Sequence, residues 1–303
     1  MEKELIATPN GSHLLVVVTK DKLKVESCFH NSPHRRQGVL SLIEKAINKL
    51  DLPNNFRSSF NVNVRDKPLE DLIRGSYGFW TEAGKTDNYF PAFCFDRWPR
   101  AGYDDYNLMI RQIVESSNKP PVERKVFWSG DVRYSESRIT LYNIGQNNPM
   151  CHFRKIEWEA DRLTAKGFVP LVDHSRYAAL LDIEGFGYSG RLPFLLATGR
   201  PVLICDRQYE QKFFFDGSLR PWEHYIPVRR DLDDLEQKVE WVFNNYEYAA
   251  AIGRDGQNFA LENLSQDKMV DQVVGVILAN NKPYSSVKPR LFGAKRGASR
   301  STA

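Results

Sequence analysis

"LDIEGFGYSGRLPFLLATGRPVLICD", residues 181–206, passes from an apolar stretch through a glycine-rich turn into a helix-like segment and then a second apolar stretch. Strand, turn, helix and strand in that order are the parts of a β-α-β unit, the building block of an α/β sheet. Gly185, Gly187 and Gly190 keep the G-x-G-x-x-G spacing. Such a turn exposes backbone N–H groups, which favour an anion by about 0.3–1 kcal/mol per interaction. Arg191 falls in the first turn of the segment that follows. "VLICD" ends on Asp206, at roughly the ~20-residue distance where a dinucleotide site places its ribose-binding acid. Yet only ten residues separate Gly190 from Pro201. That leaves about two to three helical turns, fewer than a dinucleotide crossover normally opens with. The glycines also have a reading without any ligand, because tight turns use glycine to reach positive φ.

A second strand-like stretch, "KVFWSGDVRYSESR" (125–138), likewise runs into small residues and then into arginines. Ser129 and Gly130 allow close backbone approach, and Arg133 and Arg138 can clamp a diphosphate bidentately, as a lysine cannot. Surface pairing of these arginines with Asp131 or Glu136 is the alternative. Ligands of open α/β sheets bind beyond the carboxyl ends of strands, so the two stretches can flank one crevice. In "NVNVRDKP" (61–68), period-two geometry sends Arg65 and Asp66 to opposite faces and leaves Asp66 a free carboxylate. An Asp shortly before Pro is also an ordinary turn residue.

The rest of the chain alternates in the same way. "HLLVVVTKDKLKVES" (13–27) predicts a hairpin, and "GVLSLIEKAINKL" (38–50) predicts a helix with Val39, Leu40, Ile43, Ile47 and Leu50 on one face. "SFNVNV" and "PAFCF" are strand candidates, and "ESSNKPPVER" (115–124) is a linker. Beyond it, "FVPLV", "YAALLDI" and "PVLICD" predict further strands, and Asp233 to about Asn281 predicts helix with turns near Gly253 and Gln266.

Composition removes several function classes. The longest aliphatic run, "LLVVV" (14–18), is far short of the ~20 apolar residues of a membrane helix. "MEKELIATPNGSH" lacks the apolar core of a signal peptide and "RSTA" is no retention signal, so a cytoplasmic protein is expected. Cys28, Cys94, Cys151 and Cys205 have no framework spacing, and disulfides are not expected. Of the formal charge of +4, Lys288, Arg290, Lys295, Arg296 and Arg300 sit in the last sixteen residues without an acid. The folded body is therefore near neutral, and residues 282–303 read as a mobile basic tail. Nucleic-acid or membrane-surface contact is the lesser reading of that tail. Cys28, His30 and His34 have ligand-like spacing but no fourth ligand nearby. Asp231 and Asp233 form a D-x-D pattern that precedes a helical run, where an acid serves as an N-cap. No metal is expected.

Taken together, "NVNVRDKP", "KVFWSGDVRYSESR", "LVDHSRYAALLDIEGFGYSGR", "GRPVLICDRQYEQKFF" and "LRPWEHYIPVRRDLDDL" resemble glycosyltransferase family 90 over about residues 56–262. This is the Rumi and capsule-associated group of O-glucosyl-, O-xylosyl- and lipopolysaccharide- or other polysaccharide-modifying transferases. The resemblance implies an α/β fold of GT-B type, with two Rossmann-like domains facing across a cleft and a helical C-terminal segment. Residues 1–118 would form the acceptor-side domain and 119–281 the nucleotide-sugar domain, followed by the tail. It implies an inverting transfer of xylose, glucose or galactose from a UDP-sugar to a hydroxyl of a glycan or protein acceptor, without metal or other cofactor. Asp66 matches the catalytic base. Ser129, Gly130, Arg133, Arg138, Gly187, Tyr188, Ser189 and Arg191 fall in the donor-binding motifs. Glu184 stands where the Rumi type tends to have arginine, and the signal peptide and disulfides of secretory members are missing. Microbial or viral glycan assembly is therefore the expected setting. An NAD-dependent oxidoreductase and a non-catalytic nucleotide-sugar-binding or adaptor protein are the competing readings.

Overall fold

A computed structural model of the chain describes residues 2–7, 13–20, 22–27, 33–64, 76–82, 88–157, 165–185, 187–212 and 217–281. Asp66, Cys28, His30 and the basic tail lie outside the described residues.

The N-terminal half is built on a four-stranded sheet of β1 (Glu2–Ala7), β2 (His13–Thr19), β3 (Lys22–Ser27) and β4 (Arg57–Asn63), in the order β1-β3-β2-β4. The expected hairpin forms, with Val18 opposite Leu23 and Val16 opposite Val25. Leu14, Val16 and Val18 alternate into the core, as the pleat demands. β1 joins β3 in parallel and β4 joins β2 antiparallel, so this sheet is mixed. Helix α1 (Pro33–Asn48) buries Val39, Leu42, Ile43, Ala46 and Ile47, while Leu40 and Leu50 are only half-buried at its margin. A Cβ at Gly38 would stand 2.8 Å from the Phe93 carbonyl, so glycine is what lets α1 lie on that segment. There "PAFCF" is a helical turn over Phe93–Phe95 and not a strand. All three side chains are buried. Two-residue strand β5 (Thr81–Glu82) and helix α2 (Tyr106–Ser117) complete this half, and Asp105 caps α2 through the Leu108 N–H.

The C-terminal half holds β6 (Glu123–Gly130), helix α3 (Glu136–Asn147), β7 (Cys151–Lys155), β8 (Tyr177–Asp182), helix α4 (Leu192–Ala197), β9 (Val202–Cys205), β10 (Tyr209–Glu210) and β11 (Ile226–Val228). Five of its strands form an all-parallel sheet ordered β11-β9-β8-β6-β7. "FVPLV" is not one of them: Pro170 leads into a tight turn over Leu171–Arg176. The edge strand is instead "CHFRK", whose Cys151 and Phe153 are buried between more exposed neighbours. β8 is buried at every position, which is why it reads as a continuous apolar run. Cys94, Cys151 and Cys205 are buried.

Helices α5 (Leu235–Asn244), α6 (Tyr246–Asn263) and α7 (Gln266–Ala279) follow. Gly253, expected at a turn, lies inside α6, where a Cβ would meet the Gly199 carbonyl at 2.6 Å. The close approach of α6 to the loop after α4 requires that glycine. Helix α7 returns to the N-terminal half: Lys49 reaches Asp271 at 2.9 Å, and Gln266 donates to the Phe95 carbonyl at 2.8 Å. Strand β5 pairs with β10, a second tie between the halves. Two α/β halves thus face one another across a cleft, the GT-B type of arrangement, with the doubly wound parallel sheet on the C-terminal side. No helix among the described residues is long and apolar enough to cross a membrane.

Candidate active site

In chain order the parallel sheet reads second, first, third, fourth, fifth, so the order in which strands are added reverses between β6 and β8. A crevice opens at the carboxyl ends of two such strands. A cavity of about 170 Å³ lies there, walled by Ser129, Gly130, Arg138, Tyr188, Ser189 and Arg191 from this side. Arg35, Phe93, Trp98, Arg100 and Ala101 close it from the other half. Six of the eight expected donor-binding residues therefore line one space. Gly187 is buried beside it and does not line it.

Arg133 points elsewhere. Its side chain is 69% exposed and chelates Asp131, which also accepts from the Arg133 backbone N–H at 2.9 Å. The alternative of ion pairing thus holds for Arg133. It fails for Arg138, which α3 presents beneath the end of β8 without an acidic partner among the described residues. Arg138 donates to the carbonyls of Glu184 (2.9 Å), Asp131 (3.2 Å) and Ile183 (3.3 Å). Its guanidinium stands 5.9 Å from the Trp128 ring and 5.7 Å from the Tyr134 ring. Burial, and next the charge of Arg191, pull its pKa down to about 10, which leaves it protonated at neutral pH.

Arg191 occupies the N-cap position of α4 and donates through Nη1 to the Ser129 carbonyl, which ties the glycine turn to the end of β6. Its Nη2 is buried without a partner. Burial lowers the pKa of this arginine too. The fully buried Asp182 is already satisfied: it accepts from Ser189 Oγ at 2.6 Å and from Arg207 at 3.1 Å. Ser189 therefore spends its hydroxyl proton on Asp182. Two guanidinium groups, the buried Arg138 and the half-buried Arg191, remain at the cavity with no carboxylate paired to either among the described residues.

Neither Gly185 nor Gly190 has a positive φ. Gly190 is instead a spacer, since a Cβ there would lie 2.9 Å from the Trp98 ring of the opposite half. Helix α4 has six residues, shorter even than the sequence allows. Asp206 is exposed at the end of β9. Glu184 turns away from the cavity to accept from the N–H groups of Gln208 (3.0 Å) and Tyr209 (3.4 Å), with Arg230 at 3.8 Å. The D-x-D pair lies apart from the cavity: Asp231 accepts from the Asp233 N–H at 3.1 Å and pairs with Arg229. Asp234, not Asp233, stands at the N-cap position of α5, and its side chain makes no capping bond there. Among the described residues no three acids, histidines or cysteines are grouped to hold a metal.

Sequence reading missed four cavity residues, Arg35, Trp98, Arg100 and His174. The first three belong to the N-terminal half and reach the site only through tertiary packing. His174 lies within a quoted motif, but nothing in the motif marks its imidazole. It is 3% exposed, and burial followed by the charge of Arg191 lowers its pKa to about 3. The unfolded chain therefore binds a proton that the folded chain refuses. Stability should fall as pH drops from about 6.5 toward 3, by up to ~1.4 kcal/mol per pH unit for that proton. Urea midpoints at pH 7, 6 and 5 check this, and a midpoint that does not fall over that range contradicts it.

A profile of glycosyl transferase family 90 matches residues 2–288. Protein O-glucosyltransferase 1 of Rattus norvegicus is 27% identical over 291 residues, covering 88% of this chain and 71% of that protein. The Homo sapiens protein of that name is 28% identical with the same coverage. Protein O-glucosyltransferase 2 of Danio rerio is 37% identical over 166 residues, covering 52% of this chain and 33% of that protein. Among solved structures, TarM aligns with 52% of this chain and 36% of its own at 13% identity and a TM-score of 0.39. Anabaena Alr3699/HepE in complex with UDP-glucose aligns with 56% of this chain and 44% of its own, at 10% identity and a TM-score of 0.36.

Proposed function

Because the chain belongs to glycosyl transferase family 90, we propose that the cleft binds a UDP-sugar and that the protein transfers the sugar, with inversion, to a hydroxyl of a protein or glycan acceptor. One observation carries the donor reading: Arg138 is buried and Arg191 half-buried at the cavity, neither with an acidic partner among the described residues, and the buried Nη2 of Arg191 keeps an unused N–H. A buried cation needs a counter-charge, and a diphosphate supplies one together with acceptor oxygens for the free donor. Glucose comes first among the candidate sugars, a choice supported by the protein O-glucosyltransferase names of the relatives. Glu184, engaged with the backbone of β10, leaves the choice among glucose, xylose and galactose to other residues.

In the proposed reaction an acceptor oxygen attacks the anomeric carbon from the face opposite the diphosphate. The bond from that carbon to the diphosphate oxygen breaks, UDP leaves with the bonding pair, and Asp66 takes the acceptor's proton. Val64, two residues before Asp66, has its carbonyl held at 3.2 Å by Arg35 of the cavity wall. The family motif that "NVNVRDKP" resembles supports Asp66 as the base. Arg138 and Arg191, fixed by backbone carbonyls before substrate arrives, meet the charge that grows on UDP without reorganising. Charged hydrogen bonds contribute about 1.5–3 kcal/mol each, and a few of them suffice to hold the leaving group without a divalent ion. Release of UDP from UDP-glucose, measured with and without EDTA, tests this: an unchanged rate is expected. Loss of activity on chelation that Mn²⁺ restores would instead bring Asp231 and Asp233 into the mechanism.

A further inference from the structure

His174 stands in the turn over Leu171–Arg176 and lines the same cavity as Ser129, Ser189 and Arg191. Its ring is fixed by the edge of Phe127, with centroids 4.9 Å apart and planes at 78°. The turn itself is tied down, since Ser175 Oγ donates to the Val172 carbonyl at 2.8 Å and Arg200 donates to the Ser175 carbonyl at 3.0 Å. The imidazole is 3% exposed and neutral at ordinary pH. A neutral ring carries one N–H and one bare lone pair. The Val169 backbone favours a proton on the ring, and Nδ1 is buried with no hydrogen-bond partner. Buried polar atoms in folded proteins are nearly always paired, so an acceptor left open at a cavity wall awaits a donor from the occupant.

We propose that His174 Nδ1 accepts a hydrogen bond from an O–H or N–H of the bound nucleotide sugar, which makes His174 a specificity-determining residue of the donor site. The inference rests on the donor reading above. Arg138 and Arg191 carry only donors, so they fix phosphate oxygens but cannot demand a hydroxyl. Ser189 has its proton committed to Asp182. A buried acceptor supplies the missing demand, because an analogue without the matching hydroxyl or N–H strands it again.

Isothermal titration of UDP and of UDP-glucose into the wild type, His174→Leu and His174→Asn tests this. His174→Leu is expected to weaken UDP-glucose by about three- to tenfold. His174→Asn, whose Oδ1 takes the place of Nδ1, should recover most of the loss. A loss shared by UDP assigns the contact to the nucleoside; a loss confined to UDP-glucose assigns it to a sugar hydroxyl. Unchanged affinity in a folded His174→Leu overturns the inference. The wild type gives a readout independent of any variant's folding, the ¹⁵N resonance of Nδ1 in histidine-labelled protein. It should move on saturation with UDP-glucose; a resonance that stays in place overturns the inference and leaves the donor reading intact. A wild type that binds neither ligand overturns both.

Discussion

Asp66→Asn is expected to lower sugar transfer by about two to four orders of magnitude, the usual worth of a positioned general base, and to leave UDP affinity unchanged. Asparagine keeps the size of the side chain and most of its hydrogen bonds but cannot take a proton at neutral pH. The variant therefore separates chemistry from binding. An acceptor hydroxyl with its proton still in place is a poor nucleophile, so transfer suffers while the arginine side of the cleft is untouched. A transfer assay beside a UDP titration makes the comparison. Near-wild-type transfer would remove Asp66 from the reaction and return it to the role of a turn residue before Pro68.

Arg191→Ala should damage both quantities. In the proposed reaction the guanidinium meets the diphosphate in the ground state and the departing UDP in the transition state, so its loss should weaken UDP by about 1.5–3 kcal/mol, roughly 10- to 150-fold in Kd. Transfer should fall at least as far. The same side chain bonds the Ser129 carbonyl, so the glycine turn also loses its tie to the end of β6. Arg191→Lys distinguishes the two effects, because lysine restores a charge without the planar fork. Partial recovery of UDP affinity is expected with lysine. Unchanged affinity in Arg191→Ala would leave the glycine turn as only a fold element.

What could be read from the sequence followed from how deeply each element is buried. β8 and β9 are buried on both faces and stand out as apolar runs, and the hairpin of β2 and β3 announces itself by alternation. β7 does not, because "CHFRK" is an edge strand whose charged residues look outward. "PAFCF" misleads because its aromatic rings are buried by packing from several directions, not by a sheet face. That Arg138 and Arg191 lie together was legible, since they follow two strand ends and both line the cavity. The status of each arginine was not. Whether Arg133 or Arg138 is paired depends on Asp131, and the carboxylate that Arg191 could have used, Asp182, is taken by Arg207 from 25 residues away. Gly190 was read as a backbone device and is a spacer for Trp98, a contact across the cleft that no local spacing encodes.

The central claim is that the cavity between β6 and β8 holds the diphosphate of a UDP-sugar. Thermal unfolding of the wild type with UDP, UDP-glucose or NADH tests it most directly. With free UDP at 100 times its Kd the folded state should gain about 2.7 kcal/mol and melt at a clearly higher temperature, while NADH leaves the transition where it was. Stabilisation by NADH with none by UDP or UDP-glucose would contradict the claim.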